Sequence, residues 1–217
     1  MNIREIFPGV YKIDGKVATK NLVPGVKVYR EQLVKNGKDE YRLWDPKRSK
    51  LGAAIVKGLK HLTIKPGSSV LYLGSANGTT ASHVSDIVGE KGKVYCVEFS
   101  AQSMRDLLLL CEQRHNLYPV LADARLPDKY KEIEKVDVVF EDVADKSQTD
   151  ILLKNIAAFK AKSFLIAIKA RCIDSSAAPK KVYSDEKAKI STKARVNEMI
   201  ILDPFEIDHC MITGDVK

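Results

Sequence analysis

Side chains that could do chemistry recur at intervals of 19 to 27 residues: Glu98, Asp123, Asp142 and Lys169, each closing or closely following a short apolar run. Gly74 and Gly78 bracket a turn after another such run, Val70 to Leu73, and Thr79 and Thr80 open the helix that follows. A glycine turn lets backbone approach a ligand, and the first N–H groups of a helix lack intrahelical acceptors and favour anionic or polar groups. The stretch is neither G-x-G-x-x-G nor a P-loop, so by itself it indicates no dinucleotide or ATP and reads equally as a tight strand-to-helix turn. Glu98 stands 24 residues beyond Gly74, where a carboxylate can accept both hydroxyls of a ribose. Phe99 beside it suits a purine face, and Asp123 could accept from an adenine amino group.

Each acid alone is also what a solvated loop looks like. Together, without a triphosphate cradle, they describe an adenosine site, and S-adenosylmethionine is the cofactor that matches best. Asp142 and Lys169 fall at the ends of two further strands, on the same edge as the acids above. A lysine beside a carboxylate is also what an ordinary salt bridge looks like.

The elements that must position these groups alternate strand and helix from Asp45 onward, the pattern of a mostly parallel α/β sheet with helices on both faces. In such a sheet ligands bind beyond the C-terminal strand ends, where all these residues fall. Strands are expected at 70–73, 93–99, 118–121, 136–140 and 164–168, with a closing pair at 198–202 and 209–212. Helices are expected from Ser49, as N-cap, to a stop at Pro66-Gly67; from Thr79 to Gly89; after Ser100, carrying Met104, Leu107, Leu108 and Cys111; over 151–159; and over 181–197. Residues 1–45 differ, with Pro8-Gly9, Asp14-Gly15, Pro24-Gly25 and Asn36-Gly37 punctuating alternating stretches, as in a small β-hairpin domain. Its clearest hairpin pairs 26–34 with 39–44 through Asn36-Gly37. The methyltransferase-like unit is then 46–217.

The 217 residues, 45% hydrophobic, exclude disorder as the main state and are enough for one sizeable core. With 36 Lys+Arg against 28 Asp+Glu, the net charge of +8 favours a polyanionic partner such as nucleic acid without establishing one. Cys96, Cys111, Cys172 and Cys210 lie far apart with no C-x-x-C pair, as buried thiols in a reducing compartment would. The N-terminus has no apolar signal core and no run approaches about 18 apolar residues, so a cytoplasmic protein that spans no membrane is expected. No H-x-x-x-H or acidic cluster suggests a metal. His61, His83 and His115 read as surface or packing residues; His209, after Asp208 near the sheet edge, is the histidine that could line the site.

Tyr72 to Gly89, Val94 to Ser100, Asp123-Ala124-Arg125, Phe140 to Ala144, Ile168 to Ala170, Tyr41 to Leu51 and Glu206 to His209 closely resemble fibrillarin, the RNA 2′-O-methyltransferase family of box C/D ribonucleoproteins. The resemblance spans nearly the whole chain. Without a Gly-Arg-rich tail it looks like the archaeal type. It implies a Rossmann-like S-adenosylmethionine-dependent methyltransferase fold with a seven-stranded sheet. It carries cofactor contacts onto Thr79 and Thr80, Glu98 and Phe99, Asp123 and Ala124, and Asp142, Val143, Ala144 and Asp145, beside Gly74 and Gly78. It assigns Lys169 and Asp142 as the catalytic pair, with Lys50 and His209 completing the polar cluster more loosely. It also implies partners: a box C/D guide RNA, target rRNA or tRNA, a Nop-family scaffold and a kink-turn-binding protein. The chain departs from the family's usual pattern at Asn77, at Asp145, and at 160–163, where the family has a glycine turn. Two other classes stay open: a methyltransferase of small-molecule or protein acceptors, and a non-catalytic RNA-binding scaffold.

Overall fold

Asp14 and Gly15 both adopt positive φ, 46° and 88°, as a type I′ hairpin requires. They join β2 (Val10–Ile13) to β3 (Lys16–Lys20) with Ile13 opposite Lys16. The structure, a computed structural model describing residues 1–216, adds β1 (Ile3–Phe7), β4 (Leu33–Asn36) and β5 (Asp39–Leu43) to form an antiparallel sheet ordered β1-β2-β3-β5-β4. The last hairpin is shorter than expected. Glu31 folds its carboxylate back onto the N–H groups of Val28 and Tyr29, at 3.0 and 2.8 Å, which holds that segment as a loop until Leu33. Its turn residues are Gly37 and Lys38, and of the expected Asn36-Gly37 pair only Gly37 has positive φ.

The second sheet has seven strands: β6 (Ser69–Leu73), β7 (Lys93–Glu98), β8 (Leu117–Leu121), β9 (Val138–Glu141), β10 (Ser163–Lys169), β11 (Ala194–Ile201) and β12 (His209–Val216). Their order is β11-β12-β10-β9-β6-β7-β8, with β12 antiparallel to both neighbours and the other pairs parallel. The helices are α1 (Lys50–Val56), α2 (Thr79–Val88), α3 (Ala101–Gln113), α4 (Gln148–Phe159), α5 (Ala170–Ile173) and α6 (Pro179–Ser191).

Three local expectations are corrected, at α1, at α6 and at Cys172. Helix α1 stops at Gly58 (φ 96°), well before Pro66. Gly58 N donates to Ile55 O and Leu59 N to Ala54 O, the paired bonds of a Schellman cap. On α3 the buried stripe is Met104, Leu107 and Leu110, while Leu108 is exposed. Helix α6 ends at Ser191 and β11 begins at Ala194, because a bulge between Val196 and Glu198 breaks the alternation that would reveal the strand. Cys172 is exposed on α5, whereas Cys96 and Cys210 are buried. Lys160, at the 160–163 departure, closes α4 with φ 51°, a conformation costing a non-glycine residue about 1 kcal/mol.

Alternation on β6 sends Val70 and Tyr72 to one face of the sheet and Leu71 and Leu73 to the other. Leu51, Val84, Phe140 and Met211 pack on the first face; Val139, Leu152, Ile166 and Tyr183 on the second. Val10, Val17 and Trp44 of the N-terminal unit join the first cluster. His83 packs there, wholly buried, stacked on Trp44 with centroids 4.4 Å apart; burial, then Arg42 and Arg114, hold its pKa well below the usual histidine value. His61 and His115 are exposed.

Candidate active site

The C-terminal ends of β6, β7, β8, β9 and β10 surround a cavity of about 490 Å³. Gly74 makes its floor possible. With φ 76°, it brings the turn after β6 so close to β9 that a Cβ would lie 2.9 Å from Asp142 O. Glu98 closes β7 with both oxygens engaged, Oε2 accepting from Ala76 N at 2.9 Å and Oε1 from Ser100 N at 2.8 Å. Those bonds fix the carboxylate in the cavity wall, with lone pairs left for hydroxyl donors. Phe99 follows on the rim, 79% exposed.

Asp123 and Ala124 lie across the cavity. Asp123 is gripped by Arg125, whose Nη2 and Nε reach Oδ2 at 2.6 and 2.9 Å, and that guanidinium holds its carboxyl below the usual carboxylate range. Arg125, part of the Asp123-Ala124-Arg125 run but given no role from sequence, lines the same cavity and lies 3.9 Å from Asp145 Oδ2. Asp145 in turn accepts from Ser147 N at 2.7 Å, which ties Val143, Ala144 and Asp145 to the start of α4.

On the cavity wall, which Asp142 and Lys169 both line, a carboxylate stands between two ammonium groups. Asp142 Oδ1 lies 2.9 Å from Lys169 Nζ and 3.2 Å from Lys50 Nζ, and Lys169 Nζ also donates to the Asp142 carbonyl at 2.8 Å. Lys50 comes from 92 residues upstream. Its helix is capped by Ser49, whose Oγ accepts from Gly52 N and from the Thr80 hydroxyl, at 3.2 and 3.0 Å. His209 is the strand partner of Lys169, but its Nδ1 bonds the Ile207 carbonyl at 2.6 Å and no member of the trio.

Gly78, Thr79 and Thr80 flank the cavity without lining it. Gly78 has φ 88°, the left-handed conformation that favours glycine, and packs beside Leu107 and Leu110 of α3. Thr80 is buried, and Thr79 borders a neighbouring depression with Asn77 and Arg48. Among the described residues, no group of three or more His, Cys, Asp or Glu is placed to hold a metal ion, and no helix is long and apolar enough to cross a membrane.

Glu141, beside Asp142, is fully buried with neither oxygen hydrogen-bonded. Burial, opposed by Lys169 and reinforced by Asp142, pushes its pKa well above the ordinary 4.5. A carboxyl raised in the fold contributes its full stability below the unfolded pKa and loses it as pH climbs toward the folded one. Glu141→Gln is therefore expected to match the wild type near about pH 4 and to gain on it by up to about 1.4 kcal/mol per pH unit above that. Paired melting curves across pH measure the difference. A constant difference would mean that the native carboxyl is ionised.

The family model for fibrillarin matches residues 1–217. The chain belongs to the fibrillarin family. A fibrillarin-like rRNA/tRNA 2′-O-methyltransferase of Thermococcus onnurineus is 52% identical over 213 residues, 94% of each chain. The structure of Aeropyrum pernix fibrillarin with natively bound S-adenosyl-L-methionine superposes with a TM-score of 0.89 at 42% identity, covering 99% of this chain and 98% of that one. A fibrillarin/Nop5p complex has a fibrillarin-type chain matching at TM-score 0.91 and 38% identity, covering 99% of this chain and all of that one. The seven-stranded α/β sheet and the N-terminal antiparallel sheet read here are thus those of fibrillarin structures.

Proposed function

We propose that the protein is an S-adenosylmethionine-dependent RNA 2′-O-methyltransferase acting on rRNA and tRNA. Its targets are selected by box C/D guide RNA, in an assembly with a Nop-family scaffold and a kink-turn-binding protein. The observation that carries this reading is the Lys50–Asp142–Lys169 cluster at a cavity whose wall also presents Glu98 and Phe99. The names of the archaeal relatives, the cofactor-bound homologous structure and the Nop5p complex support it.

The residues present fit the cofactor. Glu98, fixed by two backbone donors, suits a ribose diol; Phe99, exposed on the rim, suits the adenine face; Asp123 and the 143–145 segment bound the remainder. When bound, S-adenosylmethionine supplies a methyl group already activated on a sulfonium. The chain's own work is to align the acceptor and manage its charge, and positioning alone is worth several kcal/mol. Lys169, held by the side chain and carbonyl of Asp142, orients a 2′-hydroxyl and stabilises the oxyanion that develops. Lys50 adds a second ammonium group, so the cluster sets two cations against one carboxylate. Asp142 keeps Lys169 in place and is the acceptor within the cluster for the hydroxyl proton.

The test is transfer of labelled methyl from S-adenosylmethionine to an RNA paired with a box C/D guide, with the scaffold and kink-turn proteins present or omitted. Transfer in the full assembly, abolished by a 2′-deoxy target nucleotide, is expected. Methylation of a small molecule or protein instead, or tight cofactor binding with no transfer in any assembly, would sink the proposal.

A further inference from the structure

Three main-chain groups around the reacting cluster converge on one side chain outside the cavity wall. Gln148 is the first residue of α4 and fully buried. Its Oε1 accepts from Lys169 N at 3.0 Å, while its Nε2 donates to the Val143 carbonyl at 2.5 Å and the Ala167 carbonyl at 3.1 Å. A backbone N–H only donates and a backbone carbonyl only accepts, so one orientation of the amide satisfies all three.

These partners sit where the sheet runs out. The β9–β10 ladder ends at Glu141 opposite Ile166, and Asp142–Val143 and Ala167–Lys169 continue past it without pairing to each other. Gln148 bridges that gap. It grips the residue after Asp142 on one side and Lys169 itself on the other. The 2.8 and 2.9 Å contacts of Lys169 Nζ with Asp142 are thus spanned by two main-chain anchors that share one amide.

We infer that Gln148 is a positioning residue for methyl transfer: by clamping the diverging ends of β9 and β10 it sets where Lys169 stands relative to Asp142. The inference rests on the methyltransferase reading above. Misplacement of a reacting group by about 1 Å can cost about a hundredfold in rate, so the clamp acts on turnover rather than on RNA binding.

The experiment uses the complete guide-RNA assembly at saturating S-adenosylmethionine and compares wild type, Gln148→Glu and Gln148→Asn per folded molecule, from about pH 6 to about pH 9. Glutamate keeps the shape and the acceptor for Lys169 N. Its ionised form donates to neither carbonyl, whereas its protonated form regains one O–H donor, and burial raises its pKa toward the assayed range. For Gln148→Glu, kcat is expected to fall by about tenfold to a hundredfold at high pH, with KM for RNA unchanged and the ratio to wild type recovering as pH falls. Gln148→Asn keeps the amide but withdraws it by one methylene, and is expected to lose kcat equally at every pH. Wild-type turnover of Gln148→Glu per folded molecule across the whole pH range, or a loss that appears in KM for RNA and not in kcat, overturns the inference, because a residue that only stabilises the fold would not lower kcat per folded molecule. Should Gln148→Glu fail to fold, Gln148→Asn decides, and unchanged kcat overturns the inference. A wild-type assembly that transfers no methyl overturns the functional reading itself, and this inference with it.

Discussion

Lys169→Ala is expected to slow methyl transfer by about a hundredfold to ten-thousandfold, while S-adenosylmethionine binds nearly as before. The side chain's partners are the carboxylate and carbonyl of Asp142, so its removal leaves Glu98, Phe99 and the cavity wall in place. Lys50 remains 3.2 Å from Asp142 Oδ1 and still neutralises the carboxylate, which limits the damage to the fold. Lys169→Arg is expected to fall between the two, since a planar guanidinium keeps the charge but cannot reproduce the point-like ammonium that serves both acceptors. Single-turnover transfer and calorimetric cofactor binding measure the two effects separately. Unchanged transfer by Lys169→Ala would reduce the Lys169–Asp142 contact to a structural salt bridge.

The largest expected loss of stability is far from that cluster. Asp86 lies on α2, fully buried, and accepts from Arg114 Nη1 at 2.6 Å and Arg42 Nη1 at 2.9 Å, with Thr19 Oγ1 and Leu22 N at 2.7 and 2.9 Å. Arg42 also reaches Glu31 at 2.6 Å and Ser82 Oγ at 2.9 Å. This network fastens the N-terminal sheet to α2 and α3. Asp86→Ala would leave the buried Arg114 guanidinium, already held below the usual arginine range by burial, without a carboxylate, and would take from Arg42 one of its two. It is expected to cost about 3–5 kcal/mol in denaturant unfolding. Replacing Arg42, Asp86 and Arg114 together by apolar residues of similar volume, with Glu31→Gln to neutralise the carboxylate that Arg42 also pairs, should cost much less, because no charge is left unpaired. A loss below about 1 kcal/mol for Asp86→Ala would show that water reaches and solvates the arginines.

Much of this was legible in the sequence because its signals are local. Period-two alternation and turn chemistry mark Asp14-Gly15 as a hairpin, and Gly89 stops α2 where expected. Ser49 and Ser100 announce their helices by their own side chains, each bonding a backbone N–H three residues on. The strand-helix alternation implies a parallel sheet, and that implies a ligand edge, so the sequence assigns Glu98, Phe99, Asp123, Asp142 and Lys169 to one edge, and all five line one cavity. Where a local signal was weak or disturbed the reading slipped, as at Gly58 and at the bulge in β11.

What only the tertiary structure decided are relations between residues distant in the chain. Arg42, on a strand of the N-terminal sheet, is wholly buried against Asp86, 44 residues away. Lys50, on α1, meets Asp142 across 92 residues of chain, which no spacing encodes. Gln148 carries no motif; its place follows from where the β9–β10 ladder ends. Gly78, read as part of the ligand turn, also packs beside Leu110 on another helix. Periodicity and capping depend on neighbours within about a turn of chain, whereas pairing buried charges and filling the space behind a glycine depend on which elements pack together. The sequence by itself therefore determined the elements, their kind and the edge that holds the chemistry, and packing decided which charges meet there and what holds them at reacting distance.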